Sequence, residues 1–180
     1  MANYHWGIGK LGKNFYETKF GAIIFSANKI KELLTTEHNF NLLFKYVILT
    51  LNEVRGKNPP LQWDPSTPRS LYSANAGCSA QDDAVGYCIC RETNELLHYS
   101  YPFYNLQSEI SNLGMGMMLR AILWAKENNK KYIYLGSFQR PTDTYKLQFV
   151  GLEWFDGKDW KSDLEELINI SREANLVSEG

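Results

Sequence analysis

The chain has 180 residues, 44% apolar and 22% charged, which suits one globular domain, or one with an extension, and excludes a disordered polymer. Its net charge of −1 excludes a bulk-basic nucleic-acid binder. The charge is uneven, however: residues 1–60 carry eight Lys or Arg against four acids, and residues 151–180 carry three against eight. The basic first third is either a surface for phosphate or a solvated basic face. Three cysteines, Cys78, Cys88 and Cys90, are too few and too oddly numbered for a disulfide framework and suit a reducing compartment. The start has no signal-peptide pattern, and the apolar runs are too short to span a bilayer. A cytoplasmic protein with no membrane partner is expected.

In chain order, an aromatic, Gly-rich start leads to a helix through Ile30, Leu33 and Leu34, capped by Ser26. A second helix, capped by Asn39, is expected to carry Leu42, Leu43, Tyr46, Val47 and Leu49 to Leu51. Residues 1–60 thus read as a helical N-terminal segment that "RGKNPP" closes. Residues 61–83, rich in Pro, Ser, Ala and Asn, read as a loop-rich connector, and residues 84–180 as the main domain. There, "AVGYCICRE" and "ELLHYSYPFY" form a hairpin around "ETN". A helix follows over "SNLGMGMMLRAILWAKENNKK", with Met115, Met118, Leu119, Ile122 and Leu123 at helical spacing and Asn128-Asn129 ending it. The strand "KYIYL" comes next, then a polar stretch longer than the usual connection. "KLQFVGLEWF" and "KDW" form a hairpin about Asp156-Gly157. Ser162 and Glu165 form a capping box before the last helix.

The order β-β-α-β, loop, β-β-α resembles the GNAT superfamily of acyltransferases. The expected fold class is therefore α+β, a GNAT-like fold with a mixed sheet flanked by helices. In that arrangement the strand before the long helix splays from its neighbour, and the helix opening receives an anionic carrier. Gly114 and Gly116 in "SNLGMG" partly match the GNAT phosphate loop, with Ser111 where Gln or Arg is usual. They expose backbone N–H groups to phosphate, or let the helix pack closely on the sheet. Cys88 and Cys90 alternate on one strand face and read as small buried hydrophobes rather than metal ligands, so no metal site is expected. His98, on the strand leading to the splay, is a candidate base or a structural histidine.

From Tyr101 to Trp160 the sequence resembles the C-terminal domain of arginyl-tRNA–protein transferases, including their bacterial leucyl-transferring relatives. The resemblance rests on "YPFY", "SNLG", "LRAILWAKE", "YLG" (Tyr134 to Gly136), "YKLQF" (Tyr145 to Phe149) and "DGKDW", in that order. Gly151 stands where the family usually has proline, and the Cys-rich N-terminal domain of the family has no recognisable motif here.

The resemblance implies transfer of an amino acid from charged tRNA to the N-terminal amine of a protein or peptide, the chemistry of the N-degron pathway. Charged tRNA and an acceptor N-terminus are the implied partners, and no cofactor beyond the aminoacyl-tRNA donor is implied. Tyr104, Tyr134, Tyr145 and Lys146 are the candidate catalytic residues, the tyrosines passing a proton or holding the ribose. Arg140, Asp143, Gly114, Gly116 and His98 are the candidate substrate-binding residues, with Arg140 and Lys146 for an anionic group and Asp143 for the incoming amine. The tRNA would use the basic first third and stack its unpaired end on exposed aromatics such as Trp6 or Tyr72. The alternatives are a GNAT acetyltransferase using acyl-CoA, a peptidoglycan-bridge aminoacyltransferase, and a non-catalytic GNAT-like binding module.

Overall fold

The computed structural model describes residues 4–22, 25–36, 40–47, 84–138 and 141–178. The expected connector, residues 61–83, lies outside the described residues, as do Asn39, Leu49 to Leu51, Tyr72, Cys78 and Arg140. The chain divides into two compact units, residues 1–136 and 137–180.

The first unit contains helices α1 (Trp6–Phe20) and α2 (Ala27–Thr35), and strands β1 (Leu42–Val47), β2 (Ala84–Glu92) and β3 (Leu96–Tyr104). Helix α3 (Leu113–Glu127) and strand β4 (Tyr132–Tyr134) complete it. Among the described residues the four strands form one mixed sheet in the order β1-β2-β3-β4. The first three are antiparallel and β4 runs parallel to β3. The fold is thus α+β with a helix-flanked mixed sheet, as expected.

Strand alternation puts odd and even residues of β2 on opposite faces. Tyr87 and Ile89 join Phe103 in a cluster with Ile8, Phe15, Ile30 and Leu33 of α1 and α2. The even face lies under α3: a Cβ at Gly86 would meet Met117 Sδ at 2.8 Å, and Phe44 meets Trp124 edge-on at 5.2 Å. Cys88 and Cys90, opposite Phe44 and Leu42, are fully buried, with their sulfurs 3.4 Å apart. They are the small buried hydrophobes expected from the sequence, and burial pushes the Cys88 thiol up.

Two local expectations are corrected in this unit and one is met. Leu42–Val47 is a strand, not a helix. Leu42 and Phe44 are buried, while Leu43 packs on the opposite cluster, so a strand covered on both faces reads as a continuous apolar run. Helix α3 has the expected extent, but it buries Met117, Met118, Ala121, Trp124 and Ala125, while Leu119 and Leu123 are 47% and 45% exposed. Ala121 and Ala125 allow close approach to the sheet, a steric effect that a count of large apolar residues does not register. In α2 the expected cap forms, Ser26 Oγ accepting from the Lys29 amide at 3.1 Å.

The second unit opens with a 3-10 helix, Pro141–Gln148, where the sequence reading placed the end of a polar loop and the start of a strand. The hairpin about Asp156-Gly157 is present as β5 (Trp154–Phe155) and β6 (Trp160–Lys161), and Gly157 takes the left-handed φ of 103° that the turn demands. The last helix, α4 (Leu164–Ser178), is capped by Asp163, not by the expected Ser162–Glu165 box. Asp163 Oδ1 accepts from the Glu165 and Glu166 amides at 2.9 and 3.2 Å. Among the described residues no helix is long and apolar enough to cross a membrane.

Candidate active site

Strand β3 pairs with β4 only from Leu96 to His98, opposite Tyr132 to Tyr134. It then continues for six residues to Tyr104, past the end of β4 at Tyr134, and Gly136 beyond β4 takes φ 79°. The two strands make a fork whose closed end is His98–Tyr134.

At the branch point β3 carries a bulge. Tyr101 stands opposite Ile89 and Tyr99 opposite Cys90, which leaves Ser100 without a partner in the β2 register. A bulge bends the strand and flips the faces beyond it. Tyr101 and Phe103 accordingly pack toward α1 and α2. Pro102 fits the edge half of the strand, because it lacks an N–H to donate. Its carbonyl accepts from the Tyr16 hydroxyl at 3.1 Å. Tyr16 is held protonated as that donor, since burial pushes its phenol up.

The sequence-predicted residues fall into three groups. His98 and Tyr134 meet at the closed end, ring centroids 4.8 Å apart. Burial, and secondarily the Arg91 charge, lowers the His98 pKa, so its imidazole is neutral at pH 7 and can accept a proton. Tyr104 and Gly114 meet at the open end. A Cβ at Gly114 would lie 3.0 Å from the Tyr104 ring and 3.1 Å from its hydroxyl, so the missing side chain lets α3 start directly over that tyrosine. Phe15 closes on the other side of Tyr104, centroids 4.7 Å apart.

Gly116 faces open space. The opening of α3 has no side-chain cap and no acid in its first turn, and Asn112 takes φ 55°. Those first amides carry the positive end of the helix dipole.

The third group belongs to the second unit. Lys146, 6% exposed, donates from Nζ to the Ser137 carbonyl at 2.6 Å, lies 3.8 Å from Asp143 and sits 5.8 Å from the Tyr145 ring centre. Burial and the Asp143 charge raise the Tyr145 pKa, so this phenol is a proton donor rather than an anion.

The sequence reading missed Ser100 and Tyr16. A bulge has no compositional mark in "HYSYPF", although Pro102 marks an edge. The Tyr16 contact joins residues 86 positions apart. It also missed the buried pair Lys130–Glu92, at 2.8 Å. Lys130 donates to the Thr93 carbonyl at 2.6 Å as well, which fastens the end of α3 to the β2–β3 turn behind the fork. An open groove of about 440 Å³, lined by Lys126, Lys131 and Tyr132, lies at that rear end of the sheet, away from Tyr104.

Three relatives are each 31% identical over 70 or 71 residues. They are the aspartate/glutamate leucyltransferases of Xanthomonas euvesicatoria pv. vesicatoria (strain 85-10), Xanthomonas axonopodis pv. citri (strain 306) and Xanthomonas oryzae pv. oryzae (strain PXO99A). The matched stretch is 38% of this chain and spans only 28% of the length of each of these relatives. No solved structure matches the chain. Residues 38–156, which include the whole fork, match the family described as arginine-tRNA-protein transferase, C terminus, and the chain belongs to that family.

Proposed function

We propose that this chain transfers an amino acid from charged tRNA to the N-terminal amine of a protein or peptide, on a GNAT-like acyltransferase scaffold. The observation that carries the reading is the fork, with its bulge at Ser100 and the uncapped opening of α3 over Tyr104, inside the family-matched residues. The relatives are named aspartate/glutamate leucyltransferases, which supports leucine as the transferred residue and an acceptor beginning with Asp or Glu.

The donor ester is already activated, so the site has three tasks. It must bring a neutral amine to roughly 3–3.5 Å from the ester carbon, stabilise the oxyanion, and protonate the departing ribose oxygen. The edge half of β3, from Ser100 to Tyr104, presents backbone donors at the bulge for the oxyanion. The amine nitrogen forms the new amide bond, the bond from the ester carbon to the ribose oxygen breaks, and the amine's surplus proton passes to the neutral His98. Tyr134, beside His98 at the closed end of the fork, donates to the ribose oxygen and is restored from solvent. In the second unit, Tyr145, Asp143 and Arg140 are proposed as substrate contacts, and Lys146, bonded to the Ser137 carbonyl beside Asp143, holds that cluster in place.

The test is incubation with leucyl- and arginyl-tRNA and peptides beginning with Asp, Glu or Ala, read by mass spectrometry. A gain of one aminoacyl residue on the acidic peptides, abolished by Tyr104→Phe with Tyr134→Phe, is the expected result. Acetylation from acetyl-CoA without any aminoacyl transfer would replace this reading with the CoA-dependent one.

A further inference from the structure

Helix α1 lies outside the family-matched residues 38–156, and its outer face has an unusual composition. Ile8, Gly9, Gly12, Phe15 and Tyr16 face inward. At 100° per residue a separate stripe, centred about 120° from that inward face, carries Trp6, Lys10, Lys13, Glu17 and Phe20. Trp6 is 72% exposed and Phe20 39%, and the Lys10 ammonium sits 5.6 Å from the centre of the Trp6 ring.

An indole left in water needs a reason, because burying it would contribute to stability. Its neighbours indicate one. The acid on the stripe, Glu17, pairs with Lys13 at 3.6 Å, in the less favourable lysine-first order. The pair is solvent-screened and worth little, so a phosphate can take Lys13 from it. The first turn of α1 holds no acid, so the positive end of the helix dipole reinforces Lys10 beside the indole. Residues 6–35 carry five lysines against two acids. An exposed flat ring with cations one and two turns away is the chemistry that binds unpaired bases by stacking and their phosphates by charge.

We infer that the outer stripe of α1 is a contact for single-stranded nucleic acid, with Trp6 stacking on an unpaired base and Lys10 and Lys13 meeting the adjacent phosphates. This rests on the proposed use of charged tRNA and places the unpaired end of that donor on an element outside the family-matched residues.

The probes are a fluorescein-labelled uncharged tRNA and a labelled oligouridylate, with affinity measured over a salt series. Trp6→Ala is expected to weaken both complexes roughly five- to ten-fold, the loss of one stacked base. Lys10→Ala with Lys13→Ala is expected to flatten the log–log salt slope by about 1.4, two phosphates on a single strand. All three side chains lie on the outer face, so circular dichroism should stay unchanged. Wild-type affinity and slope in both variants would overturn the assignment while leaving tRNA use intact. Absence of tRNA binding by the wild type would overturn both. Equal binding of polyglutamate would also overturn it, by showing that charge alone is read.

Discussion

At the scale of single residues, His98 links the fold to the proposed chemistry. Its imidazole lies against Tyr134 at the closed end of the fork, and burial, then the Arg91 charge, depresses its pKa. His5 is depressed too, by burial and then Lys45. Both titrate near 6.5 when the chain is unfolded. Below that pH the unfolded chain binds more protons than the folded one, so stability falls as pH falls from 6.5 toward the folded values. Thermal midpoints measured from pH 7.5 to 5.5 should therefore decline, and less steeply in His98→Gln. An equal decline in both proteins would show that His98 is not desolvated. The same depression leaves His98 free of its proton at neutral pH, as a base for the amine requires. Lys146 shows the opposite coupling: its ammonium is committed to the Ser137 carbonyl and lies near Asp143, so an effect of its removal on transfer has to be read beside the stability of the second unit.

Among the elements, what the sequence could reveal depended on whether the signal was local. The α2 cap, the β2–β3 hairpin, the extent of α3 and the Asp156-Gly157 turn were legible because each rests on neighbouring residues. Strand β1 was not, because its two covered faces erase the period-two pattern. The fork was half legible: Tyr104, Gly114, His98 and Tyr134 stood out, while the bulge that separates their ends depends on pairing with β2. The start of α4 was missed by one residue, because "SD" offers two adjacent caps and only chain geometry chooses between them. That choice can be measured. Asp163→Ala should lose about 0.5–2 kcal/mol, whereas Ser162→Ala should stay within about 0.5 kcal/mol of wild type, both read by thermal or urea unfolding. The reverse order would restore the Ser162–Glu165 box.

For the whole molecule, the division after Gly136 separates two kinds of work. The sheet, its α1–α2 and α3 layers, the fork and the Trp6 stripe all belong to residues 1–136, while Tyr145, Lys146 and Asp143 belong to residues 137–180. Both helical layers contact strands of their own unit: Tyr16 holds Pro102, and the Tyr46 hydroxyl donates to the Met117 carbonyl at 3.0 Å. The buried core on both faces of the sheet lies within residues 8–125. A chain ending at Gly136 should therefore unfold cooperatively and bind oligouridylate with the affinity of the full chain, since the stripe is intact. Aminoacyl transfer should be lost, because Tyr145, Asp143 and Arg140, the proposed substrate contacts of residues 137–180, are gone. Full transfer by this fragment would remove residues 137–180 from the proposed chemistry. A fragment with no cooperative transition would show instead that the first unit depends on the second for its fold.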